Sequence, residues 1–171
     1  MGIILIGCEQ VPTNPGPASL LQERVAARFA TGDTLSVPPE TLRQKFPDSW
    51  GEWSEAGSKA SLFKDQEWAF PTAEARYRQL DQTTYLSLEL ADYAEDSLGL
   101  YRLRAQWPEV SYLRELPTKG VSLEASRIAH FRSSGATRLE LIYGGRYLLT
   151  LQTNHPEGEK QLLGALKHIN W

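Results

Sequence analysis

The chain has 171 residues, a hydrophobic content of 41%, and 18 basic against 21 acidic residues, which gives a formal charge of −3. This length suits one domain or two small subdomains, and the near balance of charge argues against nucleic-acid binding, which would show a clustered basic excess. The single cysteine excludes an internal disulfide, and the sequence has no run of about 20 apolar residues to span a membrane.

Short motifs of catalytic and cofactor sites are missing from the sequence. It contains no HExxH, CxxC or GxGxxG pattern and no phosphate-binding loop, and these are the common signatures of zinc, redox and nucleotide sites. The nucleophile pattern GxSxG is also missing. His130, His155 and His168 are widely separated, so they do not predict a set of converging metal ligands. We therefore expect no cofactor, no metal and no enzymatic activity.

The first eight residues are apolar and end at the cysteine. Leu5-Ile6-Gly7-Cys8 resembles the bacterial lipobox, in which a leucine, a variable residue and a small residue precede a cysteine that receives a lipid. The resemblance implies a signal-peptide remnant over residues 1–8, acylation of Cys8 and a lipid-anchored envelope protein. Because Glu9 stands where an aspartate would imply inner-membrane retention, the periplasmic face of the outer membrane is favoured. The alternative is that residues 2–8 form a short buried strand of a cytosolic fold.

A linker is predicted between this segment and the folded part of the chain. Residues 9–19 contain three prolines and a glycine, and proline removes backbone donors and fixes φ. This composition favours the lipidated start over the strand. We expect one domain over residues 20–171, which two halves, 50–108 and 118–171, could make up.

Two helices are expected at the start of that domain. Residues 20–30 carry an apolar stripe at helical spacing, and residues 40–46 form a second short helix that begins near a proline. Trp50 and Trp53 follow. They could stack on a sugar or a protein partner, but tryptophans at such spacing more often pack in the core and at its rim.

The first half continues with strands and a third helix. Short strands are expected over residues 58–64 and 74–78, and residues 84–90 alternate leucine with polar residues, which predicts a strand with one apolar face. A helix should follow, capped by Asp92 and ending near residue 106. The acidic cluster of Glu89, Asp92, Glu95 and Asp96 is then explained by the positive end of this helix, and not by acid–base chemistry.

One segment of this half has a resemblance of its own. Leu98-Gly99-Leu100-Tyr101 is similar to a helix motif in a family of uncharacterised exported bacterial proteins, in which a strand precedes a helix with a central glycine and tyrosine. The similarity covers residues 58–104. It implies an exported α+β protein and supplies no catalytic residues.

The second half predicts an antiparallel meander and a closing helix. Strands are expected over residues 121–125 and 127–132 with an interruption near Ser126, then over 137–143 and 146–153, and a helix over 157–169. Gly144-Gly145 indicates a two-residue hairpin, because glycine accepts a positive φ at both positions. Tyr147, Leu149 and Leu151 belong to a strand that is apolar on both faces. It is either central and covered on both sides, which we favour, or part of a partner-binding surface.

Both halves follow a similar plan. Each has a tyrosine-bearing strand, around Tyr85 or Tyr147, followed by a polar connection and a helix with a Leu-Gly pair. The predicted class is therefore α+β, an antiparallel sheet with helices packed on one face, with two meander-plus-helix units as a further alternative.

These expectations suggest a function at the membrane surface. We expect a lipid-anchored envelope protein that is a non-catalytic interaction or accessory subunit of a membrane-associated complex. Trp50, Trp53, Tyr147, Leu149 and Leu151 are its candidate partner surface, and no nucleic acid is involved. The alternatives are a periplasmic binding protein for a small apolar or aromatic ligand, and a cytosolic enzyme without short motifs.

Overall fold

The computed structural model describes residues 17–64, 69–80, 83–107 and 116–171. The lipobox-like segment with Cys8 and residues 9–16 of the predicted linker lie outside the described residues, whereas residues 17–19 of that linker begin the first helix. Among the residues that are described, no helix is long and apolar enough to cross a membrane.

The described chain forms a seven-stranded sheet and four helices, which confirms the α+β class. The strand order is β1-β2-β3-β4-β7-β6-β5, and all neighbouring strands are antiparallel. In chain order the elements are α1 (Pro17–Ala30), α2 (Pro39–Arg43), β1 (Ser49–Trp50), β2 (Trp53–Lys64), β3 (Ala69–Arg78), β4 (Tyr85–Asp92), α3 (Ser97–Ala105), β5 (Leu123–Phe131), β6 (Ala136–Tyr143), β7 (Tyr147–Thr153) and α4 (Gly158–Leu166).

Asp92 does not cap the third helix, so that prediction is wrong. It is the last residue of β4, where it pairs with Tyr147 of β7, and it is fully buried. The helix starts one turn later, and the Asp96 side chain accepts a hydrogen bond from the Gly99 amide at 2.9 Å. The strand extends further than its leucine alternation suggests because β7 continues to pair with it.

Two strand predictions also change. The expected interruption near Ser126 is wrong, because Ser126 pairs with Leu141 inside a continuous β5 and the irregularity falls at Glu124. The outer hairpin of β2 and β3 is longer than expected. Most of β2 is exposed, so its polar sequence lacks the alternation that marks a half-buried strand.

One face of the sheet is covered by α2 and α4. Leucines of β4, β6 and β7 form the centre of this core, and each buried leucine contributes about 1.5–3 kcal/mol of transfer free energy. On the helix side, the core is closed by Leu42 and Phe46 near α2 and by Leu162 and Leu166 of α4. This face contains most of the buried apolar volume.

The opposite face is divided into two parts. At one end, α1 and α3 pack over a smaller core that contains Leu21, Val25, Leu100, Ala125 and Ile142. Helices therefore pack on both faces of the sheet, because the apolar side chains that alternate to this second face must also be covered. The other end of this face carries polar side chains and is not overlaid by α1 or α3, and we call it the polar face.

β7 lies in the middle of the sheet, between β4 and β6. Leu149 and Leu151 are fully buried beneath the helices, and Leu148 packs against the smaller core on the other side. The central position that we favoured therefore agrees with the structure, and Leu149 and Leu151 do not form an exposed partner surface.

The two halves share an order of elements but not an equivalent arrangement. Four antiparallel strands precede the helix in the first half and three in the second, and the last strands of the two halves, β4 and β7, pair with each other. If a two-fold axis between the antiparallel strands β4 and β7 related the two halves, it would run perpendicular to the sheet. Such an axis would place α3 and α4 on the same face of the sheet. α3 and α4 pack on opposite sides, so the halves are not related by such an axis.

Candidate functional site

A row of five charged side chains and one threonine crosses the polar face from β2 to the edge strand β5. Strand pairing places these residues side by side because their side chains share one face of the pleat. The row runs over six strands in the order Lys59, Glu74, Glu89, Thr150, Glu140 and Arg127. The charge changes sign only at the two ends of the row, between Lys59 and Glu74 and between Glu140 and Arg127. The three carboxylates therefore lie between the two cations.

A second polar row runs next to the first, over four strands. It contains Arg76, Ser87, Gln152 and Arg138. Arg138 donates from Nε and Nη2 to Gln152 Oε1 at 3.0 and 2.8 Å, and Gln152 Nε2 donates to the Tyr85 hydroxyl at 3.3 Å. A shallow cavity of about 360 Å³ lies over the two rows.

The outer carboxylates of the first row are neutralised by neighbours. Lys59 Nζ lies 3.0 Å from Glu74 Oε1, and Arg127 Nε donates to Glu140 Oε2. The Arg127 guanidinium also lies over the Trp107 ring, 4.8 Å from its centroid. These contacts fix the two ends of the row.

Glu89, at the centre of the row, makes no ion pair or hydrogen bond with the residues that the structure describes. The residue is exposed, and the neighbouring strands and side chains desolvate its carboxylate only in part. That desolvation and the charge of Glu74 raise the pKa of Glu89, while Lys59 and Arg138 lower it in part. Glu89 is therefore the group on this face that is best placed to accept a donor from outside the chain.

The predicted partner residues do not form one surface. Trp50 and Trp53 lie together with ring centroids 6.3 Å apart, but Trp53 is buried and donates to Gln161 Oε1 at 3.4 Å. Tyr147 lies at the opposite end of the sheet, where it stacks on Tyr143. The structure thus separates the tryptophans from Tyr147.

Trp50 lines a shallow groove between the β1–β2 turn and α4. Its ring stacks on His168 at 5.8 Å and meets Tyr77 edge-on at 4.4 Å. Trp50 remains half-buried, so the groove presents an aromatic edge between polar side chains, Gln161 and Lys167 among them.

Metal binding finds no support within the described ranges, which contain no group of three or more potential ligands. His130 lies on β5 with Nδ1 3.1 Å from the Thr137 hydroxyl, and His168 stacks on Trp50. Each of these two imidazole rings therefore contacts a neighbour within the described part of the chain.

Sequence reasoning missed the polar face. The sequence predicts Glu89 as part of the acidic start of a helix, whereas the structure places it within β4. The available signal was the alternation of charge with Ala, Tyr or Leu in residues 74–78 and 137–143, which marks one polar side on each strand. Which charges become neighbours depends on strand register, and alternation does not contain that information.

Comparison of the chain with protein-family models, with curated proteins and with solved structures finds no match. The polar face and the aromatic groove are therefore interpreted from their own chemistry.

Proposed function

We propose that the protein is a lipid-anchored envelope protein that acts, without catalysis, as an interaction or accessory subunit of a membrane-associated complex. The lipobox-like Leu5-Ile6-Gly7-Cys8 and the proline-rich segment after it support the anchor. The residue after Cys8 favours the periplasmic face of the outer membrane. The partner-binding surface is the polar face.

The observation that carries the interaction role is the row of five charged side chains and Thr150 over six strands. The opposite side of the sheet and the other end of this side are buried under helices, whereas these side chains are arranged as a ladder on a rigid support. Such a ladder suits recognition by charge complementarity, which contributes mainly to specificity and association rate. Glu89 and Arg76 offer one group of each sign in the cavity.

The experiment is site-specific photo-crosslinking of the full chain in a bacterium. A photoreactive residue at Ser87 on the polar face should give a discrete adduct, and Cys8→Ser should abolish it together with the acyl group seen by mass spectrometry. The matched control is the same residue at Gln22, which is exposed on α1. Equal adducts from both positions, or none from Ser87, would contradict the proposed surface, whereas an unmodified Cys8 would contradict the anchor.

A second candidate function is supported by the groove beside Trp50. The stacked Trp50–His168 pair favours a small aromatic ligand, because offset stacking adds about 0.5–1.5 kcal/mol to the burial of such rings. Titration with indole, followed by the change in protein fluorescence and repeated with Trp50→Leu, tests this function. An unchanged affinity in the variant would remove the groove from consideration.

A further inference from the structure

Helix α1 docks on the sheet through a small contact. Leu21 and Val25 are its buried apolar residues, and they pack in the smaller core with Ala125 and Ile142. Its contacts are with β5 and α3. Because little apolar area holds this helix, a single buried polar group in the contact has a large influence on its docking.

Glu124 is that group. It is the extra residue of the bulge in β5, and its side chain is only 2% exposed. The carboxylate accepts a hydrogen bond from the Gly145 amide at 3.3 Å. Arg24 of α1 lies with Nε 3.6 Å away, but this side chain is 55% exposed, so water screens its charge.

The close contact between the β6–β7 turn and α1 leaves little room for water molecules around the Glu124 carboxylate. Gly144 and Gly145 both have a φ of +64°, and the turn presses against α1. A Cβ on Gly145 would stand 2.9 Å from the Arg24 carbonyl carbon and from the Val25 nitrogen. With α1 docked, the Glu124 side chain is therefore almost closed to solvent.

The other charged groups on the surrounding elements face elsewhere. Arg28 of α1 donates to the Ala94 carbonyl at 3.0 Å, and Arg146 of the hairpin donates to Asp92. On β6, Ile142 is apolar and Tyr143 belongs to the core on the opposite face. Among the described residues, Arg24, the two hairpin amides and the Glu124 amide itself are thus the groups that act on the Glu124 carboxylate.

We propose that Glu124 is a proton-controlled latch for α1: the protonated carboxyl keeps the helix docked on the sheet, and ionisation loosens it. Burial raises the pKa of Glu124 to about 7, against the opposing effects of the Gly145 amide and Arg24. When α1 is undocked, the Glu124 carboxyl has the ordinary pKa of a solvated glutamate. Since the docked state binds the proton more tightly, raising the pH through neutrality favours the undocked state. Arg28, which also donates to Ser97 Oγ at 3.0 Å, holds the end of α1 and acts as the hinge.

The latch has a consequence that rests on the proposed function. Helix α1 lies between the predicted linker and the sheet, so its release would lengthen the connection between Cys8 and the polar face. The domain would then reach a partner farther from the membrane at higher pH. The latch itself does not depend on lipidation and is tested without it.

Hydrogen exchange of the full, unlipidated chain measures the latch directly. After correction for intrinsic exchange rates, protection of the α1 amides should fall by roughly 10- to 30-fold from pH 5.5 to 8.5. Protection of α4 should stay higher than that of α1 at both pH values, because that helix packs on the other face and does not open when α1 undocks. Glu124→Gln should keep α1 protected at both pH values, since the amide can accept the same hydrogen bonds but does not ionise.

Two further variants make the test specific. Glu23→Gln, on an exposed position of α1, should leave the pH dependence intact. Arg24→Gln should enlarge the loss at pH 8.5 and have little effect at pH 5.5, because it removes a cation that favours the ionised carboxylate. The latch is overturned if wild-type α1 shows no pH dependence, if α1 is as well protected as α4 at pH 8.5, or if Glu124→Gln retains the dependence. If Glu124→Gln does not fold, an equal effect of Arg24→Gln at both pH values overturns it.

Discussion

At the scale of single residues, the most constrained group is the Asp92 carboxylate. It accepts hydrogen bonds from Arg146 Nε at 2.8 Å, from the Val37 amide at 2.9 Å and from the Ala94 amide at 3.0 Å. The same guanidinium donates to Asp33 Oδ1 at 2.6 Å. This network ties the connection between α1 and α2 to the ends of β4 and β7, and a buried charge left without its partner is costly.

Asp92→Asn should lower the free energy of unfolding by about 3 kcal/mol, because Arg146 then remains buried without its main counter-charge. Urea denaturation at neutral pH measures the change. The matched control is Glu95→Gln, an exposed carboxylate that accepts from the Ser36 amide and should cost less than about 1 kcal/mol. A similar loss in both variants would show that burial of the Asp92 pair is not the cause.

Glu89 and Glu74 face each other across β3 and β4, and the charge of Glu74 adds to the desolvation that raises the pKa of Glu89. Glu74→Gln removes one source of repulsion and should lower the pKa of Glu89 towards that of an ordinary glutamate, as followed by carbon NMR of the carboxyl groups. The raised pKa of Glu89 means that the folded state favours the protonated form. Stability should accordingly fall as pH rises through the titration of Glu89, and less steeply in the variant. Glu23→Gln serves as the control, and an unmoved Glu89 in Glu74→Gln would refute the coupling.

At the scale of elements, the hairpin between β6 and β7 shows how a turn also acts as a packing surface. Tyr143 pairs with Tyr147, so the loop has three residues, one more than predicted. Both glycines have the positive φ that the sequence indicates. Only the structure shows that Gly145 also contacts the backbone of α1.

Gly145→Ala should destabilise the protein by about 2–4 kcal/mol, from backbone strain at positive φ and from overlap with α1. Gly144→Ala is a close control, since it has the same φ but meets only the Tyr147 ring, at 3.6 Å. It should cost about 1–2 kcal/mol. Urea denaturation gives both values, and hydrogen exchange should show loosened α1 amides in Gly145→Ala alone. Equal effects would mean that strain, and not contact with the helix, dominates.

At the scale of the whole molecule, the sheet continues across the boundary between the two predicted halves. β4 and β7 pair from Leu86↔Thr153 to Asp92↔Tyr147, and Leu88 is opposite Leu151 in the main core. Neither half can bury its own apolar face without the other. The two halves should therefore unfold together, as small single domains do.

Leu151→Ala should lower the free energy of unfolding by about 2–5 kcal/mol and still give one transition, seen at the same urea concentration by tryptophan fluorescence and by far-ultraviolet circular dichroism. Leu98→Ala is the control, because that side chain is 58% exposed and should change stability little. Separate transitions by the two probes would indicate independent subdomains.

Local patterns determined much of the fold. Leucine alternation in β4 and β6, the glycine pair at the hairpin and the apolar stripes of α1 and α4 predicted the element types and the α+β class. The apolar character of β7 on both faces also indicated a central strand. These features are readable because helix and strand periods and turn conformations act over a few neighbouring residues.

Only the tertiary structure decided how distant residues meet. It placed α3 and α4 on opposite faces, joined Asp92 to Arg146, aligned Lys59 with Arg127 through four strands between them, and buried Glu124 beneath α1. Cross-strand register and the side on which a helix packs depend on the fit of many residues that are far apart in the chain. The sequence by itself thus determined most element types and predicts a lipid anchor at Cys8, whereas long-range packing created the polar face and the burial of Glu124 beneath α1.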